Sequence, residues 1–233
     1  MMTDIFKQIT KVQQKIAHAA QQAQRNSEQI QLLAVSKTKP VSLIKQAYQA
    51  GLRHFGENYV QESIEKIKQI KDDNDFKEPV YWYFIGPLQS NKTRLVAENF
   101  DWVQSVDRFK IAQRLNDQRP PELPELNICL QVNISEEESK SGTTLSQVIE
   151  LASQVNDLPR LKLRGIMAIP EKTENIERLE KQFQALHNIY LTLQKQYPQI
   201  DTLSMGMSGD LESAICCGST MVRIGTDIFG TRN

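Results

Sequence analysis

Eight short apolar runs punctuate this chain, and a helical pattern separates each from the next. The runs are Leu32 to Lys37, His54 to Asn58, Val80 to Gly86, Trp102 to Val106, Leu126 to Asn133, Leu161 to Ile169, Thr202 to Gly206 and Met221 to Phe229. Their length and their apolar content mark them as strands. Between them, Val41 to Ala50, Tyr59 to Ile70, Asn91 to Asn99, Arg108 to Gln118, Leu145 to Val155, Asn175 to Gln196 and Asp210 to Cys217 repeat apolar residues at helical spacing. Strands alternating with helices require right-handed crossovers and therefore a parallel sheet. Eight such units favour an α/β fold closed as a TIM (β/α)8 barrel. The rival doubly wound sheet carries a glycine-rich nucleotide turn after its first strand, and Ser36-Lys37-Thr38-Lys39-Pro40 is not one.

An extra helix is expected over residues 1–30, where Ile5, Ile9, Val12, Ile16 and Ala20 share one face and glutamines fill the other. No helical pattern follows the eighth run, so this N-terminal helix is expected to cover that gap. No linker rich in Gly, Pro or Ser interrupts the chain. Residues 1–233 therefore read as a single domain, with the barrel over 31–233. Asp72 to Asp75 and Glu136 to Glu138 read as solvated loops.

Charge and composition exclude several function classes. The 28 basic residues balance the 28 acidic ones, which argues against a nucleic-acid or anionic-membrane partner. No apolar run reaches membrane-spanning length, and Met1-Met2-Thr3-Asp4 lacks the start of a signal peptide, so a soluble, cytoplasmic protein is expected. Cys129, Cys216 and Cys217 have no metal-ligand spacing, and His18, His54 and His187 lie on different elements. Neither a structural zinc nor a disulfide framework is expected.

In a parallel barrel, chemistry gathers where the strands end. The first strand delivers the amine of Lys37 to a strand-to-loop junction. An amine among apolar strand ends has a lowered pKa, and its neutral form attacks aldehydes, although a lone lysine after a strand is ordinarily just solvated. Strands two, three and six end at Glu57 and Asn58, at Ile85, and at Met167. The seventh runs into Met207-Ser208-Gly209-Asp210, a turn that opens a helix and offers N–H groups and a hydroxyl to a phosphate. The same turn reads equally well as a helix cap built on Asp210 and Glu212. The eighth carries Arg223, then Gly225, which allows close backbone approach, and Thr226, which adds a hydroxyl. Barrel phosphate sites are often made by the loops after strands seven and eight.

Five separated segments carry a resemblance: Leu33-Ala34-Val35-Ser36-Lys37-Thr38, His54-Phe55-Gly56-Glu57-Asn58-Tyr59, Phe84-Ile85-Gly86-Pro87-Leu88-Gln89-Ser90-Asn91-Lys92, Leu203-Ser204-Met205-Gly206-Met207-Ser208 and Val222-Arg223-Ile224-Gly225-Thr226. In this order, over Leu32 to Arg232, the chain resembles the pyridoxal phosphate homeostasis protein family. The resemblance implies a fold type III barrel like the N-terminal domain of alanine racemase. It also implies pyridoxal phosphate (PLP) held as an aldimine on Lys37. Carried over residue by residue, Ser208, Gly209, Gly225 and Thr226 would receive the phosphate, and Asn58 the ring hydroxyl. Ile85, Met167 and Met207 would pack the pyridine faces, and Arg223 would face the pyridine nitrogen. Many relatives have an acidic or polar residue where this chain has Gly209.

A guanidinium only donates, so a nitrogen facing Arg223 stays unprotonated and the ring is a weak electron sink. Racemases of this resemblance also draw a catalytic tyrosine from a second domain, and this chain is expected to lack that domain and the dimer it supports. These points favour a monomeric, non-enzymatic protein that holds PLP for intracellular homeostasis and amino-acid and keto-acid balance, with apo-PLP enzymes as possible recipients. The alternatives are a slow PLP-dependent amino-acid racemase or related enzyme, and a cofactor-free lysine aldolase.

Overall fold

The structure, a computed structural model, describes residues 4–135, 141–171 and 173–231. The charged loop expected at Glu136 to Glu138 lies outside these, as do the N-terminal Met1, Met2 and Thr3 and the last two residues, Arg232 and Asn233.

Eight parallel strands close in chain order: β1 (Gln31–Val35), β2 (His54–Glu57), β3 (Tyr81–Phe84), β4 (Trp102–Val106), β5 (Leu126–Gln131), β6 (Leu161–Met167), β7 (Thr202–Ser204) and β8 (Met221–Ile224). The seam pairs β1 with β8, placing Leu33 opposite Arg223 and Ala34 opposite Ile224. Around the strands lie α1 (Ile5–Gln22), α2 (Val41–Gln49), α3 (Val60–Lys71), α4 (Thr93–Asn99), α5 (Phe109–Gln118), α6 (Val148–Asn156), α7 (Ile176–Gln196), α8 (Leu211–Cys216) and α9 (Thr226–Phe229). The TIM-barrel expectation is met.

Two expected boundaries and one expected absence are corrected. The N-terminal helix stops at Gln22, short of residue 30: the Arg25 N–H returns to the Ala20 carbonyl and Gln24 turns left-handed, which ends the helical ladder. The eighth strand stops at Ile224, not Phe229, because Gly225 breaks the ladder and Thr226–Phe229 coils. A short helix, α9, therefore does follow the last strand. It spans only four residues, and α1 lies against both α8 and α9, consistent with the expected cover for the seam side.

Alternation within each strand sorts the core into two layers. Leu33, Tyr83, Trp102, Cys129, Met167 and Met221 point inward and pack together, with Ile85 against them. Ala34, Phe55, Val103 and Ile166 point outward to meet α-helical residues such as Ile44, Ile67 and Phe183. Each fully buried aliphatic or aromatic side chain here stabilises the fold by roughly 1.5–3 kcal/mol before entropy is counted. At the N-terminal end of the strands, Arg164 lies 4.6 Å over the Trp102 ring and donates to Asn127 and Asp201. The lower end is thus committed to packing and ion pairing, and the C-terminal ends are left to carry chemistry.

Candidate functional site

Lys37 sits two residues past β1 and is half-buried. The residue before it is anchored on every side. The Ser36 N–H donates to the Gly56 carbonyl at 2.9 Å, and its hydroxyl donates to Glu57 Oε1 at 2.6 Å. Lys66, from α3, donates to the Ser36 carbonyl at 2.8 Å and to the same Glu57 oxygen at 2.9 Å. Glu57 is fully buried, and its second oxygen has no hydrogen-bond partner. Burial pushes the Glu57 carboxyl pKa up, and Lys66 and Ser36 only partly oppose it. A buried ion pair of this kind fixes geometry more than it adds net stability.

One residue past β2, Asn58 is half-buried and its Oδ1 is a buried acceptor with no partner. Gly86 makes this corner possible, since a Cβ there would lie 2.4 Å from the Asn58 carbonyl oxygen. Ile85 and Met167 meet in the inward-facing cluster. Met207 is half-buried above β7 and lies outside that cluster.

Arg223, on β8, is buried and held by neutral acceptors. One terminal nitrogen donates to the Ser204 carbonyl and hydroxyl at 2.8 and 2.7 Å, and the other to the Ala168 carbonyl at 2.9 Å. Burial lowers its pKa to about 10, so the guanidinium stays charged at neutral pH. Ser204 in turn donates to Gln104 Oε1 at 2.8 Å. The result is a planar cation fixed at the mouth by a three-strand polar network.

At the turn after β7, Asp210 is the N-cap residue and Glu212 lies in the first turn of α8, as the cap reading expects. The Asp210 carboxylate, however, accepts from the Met207 N–H and makes no bond to the helix itself. It closes the Met207–Asp210 turn on itself, and burial raises its pKa. Among the described residues, the N–H groups of Ser208, Gly209 and Gly225 make no hydrogen bond. Gly225 lies against β1, where a Cβ would stand 3.2 Å from the Val35 carbonyl oxygen. That contact brings the β8 corner beside the strand that delivers Lys37.

These features can be set beside known proteins. A family model described as alanine racemase, N-terminal domain, matches residues 12–233. Pyridoxal phosphate homeostasis proteins of Pasteurella multocida and Escherichia coli K12 are 55% and 53% identical, over 98% and 100% of this chain and 98% of each relative. The chain belongs to the pyridoxal phosphate homeostasis protein family. Among solved structures, PipY of Synechococcus elongatus with PLP bound superposes with a TM-score of 0.79 at 35% identity, covering 92% of this chain and 100% of that one. The alanine racemase of Clostridium difficile shares the fold, with a TM-score of 0.75 at 14% identity over 98% of this chain and 57% of its own.

In this member of the pyridoxal phosphate homeostasis family, the sequence pattern identifies the strand-end residues but not what holds them. It assigns no part to Lys66, Glu62, Ser204 or Gln104. Ser204 and Gln104 are buried polar residues inside strands, the one signal that could have marked them. Glu62 and Lys66 look like an ordinary exposed pair on α3 until the loop they touch is known.

Proposed function

We propose that this protein binds PLP covalently through Lys37 and serves intracellular PLP homeostasis as a carrier or buffer, working as a single chain without substantial turnover. The observation that carries the reading is similarity over nearly the full length of both partners to proteins named for that role, with a PLP-bound structure among the similar folds. Bound PLP supplies an aldehyde that condenses reversibly with amines, and a phosphate dianion.

The residues present fit such a group. Lys37 would supply the amine that meets the aldehyde. The unspent N–H groups of Ser208, Gly209 and Gly225, with the Ser208 and Thr226 hydroxyls, suit a phosphate that needs several donors. The orphaned Asn58 Oδ1 would accept from a ring hydroxyl, and Ile85, Met167 and Met207 would pack the ring. Arg223, fixed by Ser204 and Ala168, would donate to the ring nitrogen and leave it unprotonated. That choice weakens carbanion stabilisation, which is why reversible capture is favoured over racemisation.

The test is spectroscopic. Purified protein incubated with PLP should gain a visible band that borohydride traps on Lys37, and K37A should lose that band. Gel filtration of the loaded protein should give one chain of 26.7 kDa. Transfer to a defined apo-PLP enzyme should exceed that from an equal amount of free PLP under competition. A wild-type protein that takes up no PLP sinks the reading. Turnover of L-alanine on the order of 10 per second would instead establish an enzyme.

A further inference from the structure

Both peptide units that flank Lys37 are gripped by one helix. On one side the Ser36 carbonyl accepts from Lys66 Nζ at 2.8 Å; on the other the Thr38 N–H donates to Glu62 Oε1 at 2.6 Å. Glu62 and Lys66 are one turn apart on α3 and pair with each other at 2.5 Å, so the two grips form a single bracket. Its inner end is rooted in the barrel, because Lys66 also donates to fully buried Glu57.

Thr38 explains why a bracket is needed. Its φ is +63°, in the left-handed region, where a β-branched side chain clashes with its own backbone. Gln24 also has positive φ, but among the described non-glycine residues Thr38 is the β-branched one, and it directly follows Lys37. Strain of this kind persists only where surrounding contacts over-determine the backbone. Here the Lys39 N–H closes the turn on the Ser36 carbonyl at 3.1 Å, and the side chain that grips the strained peptide itself is the Glu62 carboxylate. If Thr38 relaxed to an extended conformation, the turn after β1 would reopen and Lys37 would leave the mouth.

We propose that Glu62 is a positioning residue for Lys37: it holds Thr38 left-handed and so presents the Lys37 amine to PLP. This inference rests on Lys37 being the PLP-binding amine. Glu62 acts through the backbone on the far side of Lys37, by its bond to the Thr38 N–H. Its side chain is 32% exposed, so truncating it leaves the core intact.

The experiment is a double-mutant cycle read by PLP titration of the visible band. E62A should weaken PLP binding about tenfold, because the unheld threonine leaves the left-handed region. In the T38G background the same E62A change should cost less than about twofold, since glycine adopts that region unaided. E62Q, whose amide oxygen still accepts from the Thr38 N–H, should keep most of the affinity. Thermal unfolding of all four proteins should vary far less than their affinities. PLP binding by E62A at the wild-type level overturns the proposal. So does an equal loss in both backgrounds, because Glu62 would then act by a route other than Thr38. Failure of the wild type to take up PLP defeats the reading of Lys37 itself and is distinct from either result.

Discussion

Two glycines three residues apart in the turn after β7 answer to different physics. Gly206 has φ +99°, and a Cβ there would sit 2.7 Å from the Ala214 Cβ. A Cβ at Gly209 would meet no atom within 4 Å beyond its chain neighbours, and the backbone there is not left-handed. G206A should therefore destabilise the fold by more than about 1 kcal/mol, and G209A by no more than about 0.5 kcal/mol, measured by urea unfolding. Equal costs would contradict the geometry. The open space at Gly209 leaves room for a side chain there.

At the level of elements, α3 has one buried commitment that its sequence disguises. Lys66 is on a helix whose other lysines, Lys68 and Lys71, face solvent, yet its side chain is only 7% exposed and neutralises Glu57. K66M should cost about 3–5 kcal/mol in urea unfolding, because it strands a buried carboxylate. The double replacement K66M/E57L should recover much of that loss, and no recovery would show that the pair is not the cause. The strands themselves are legible in the sequence, since alternating or continuous apolar runs survive in every one of them. The eighth run extends too far because Ile228 and Phe229 continue its apolar character past Gly225, although they belong to α9. Helix α1 extends too far for the opposite reason: a run of glutamines gives no stop signal, and only the left-handed Gln24 ends it. The bracket on Lys37 is not legible at all. An i,i+4 Glu–Lys pair is the commonest surface pattern on a helix, and its second role depends on a loop brought near by barrel closure.

For the molecule as a whole, the two ends of the barrel respond differently to acid. At the N-terminal end His54 stacks 5.0 Å from Tyr81, and its Nδ1 lies 3.0 Å from the Tyr83 hydroxyl; burial lowers its pKa. His187 is lowered as well, by burial first and by Arg25 second. A lowered histidine stays neutral in the fold, while the unfolded chain takes up a proton near pH ~6.5. Their contribution is therefore complete above about pH 6.5 and is lost as pH falls below it toward the folded values. Unfolding midpoints should drop between about pH 7 and 5, with a shallower slope in H54Q. Identical slopes for the two proteins would remove His54 from the account. The Lys37 end has no histidine of this kind among the described residues.

The seam between β1 and β8 joins opposite ends of the polypeptide. Lys37 and the Gly225–Thr226 corner that abuts β1 are far apart in sequence and come together only when this seam closes. Any ligand that needed groups from both strands would therefore register only a sealed barrel.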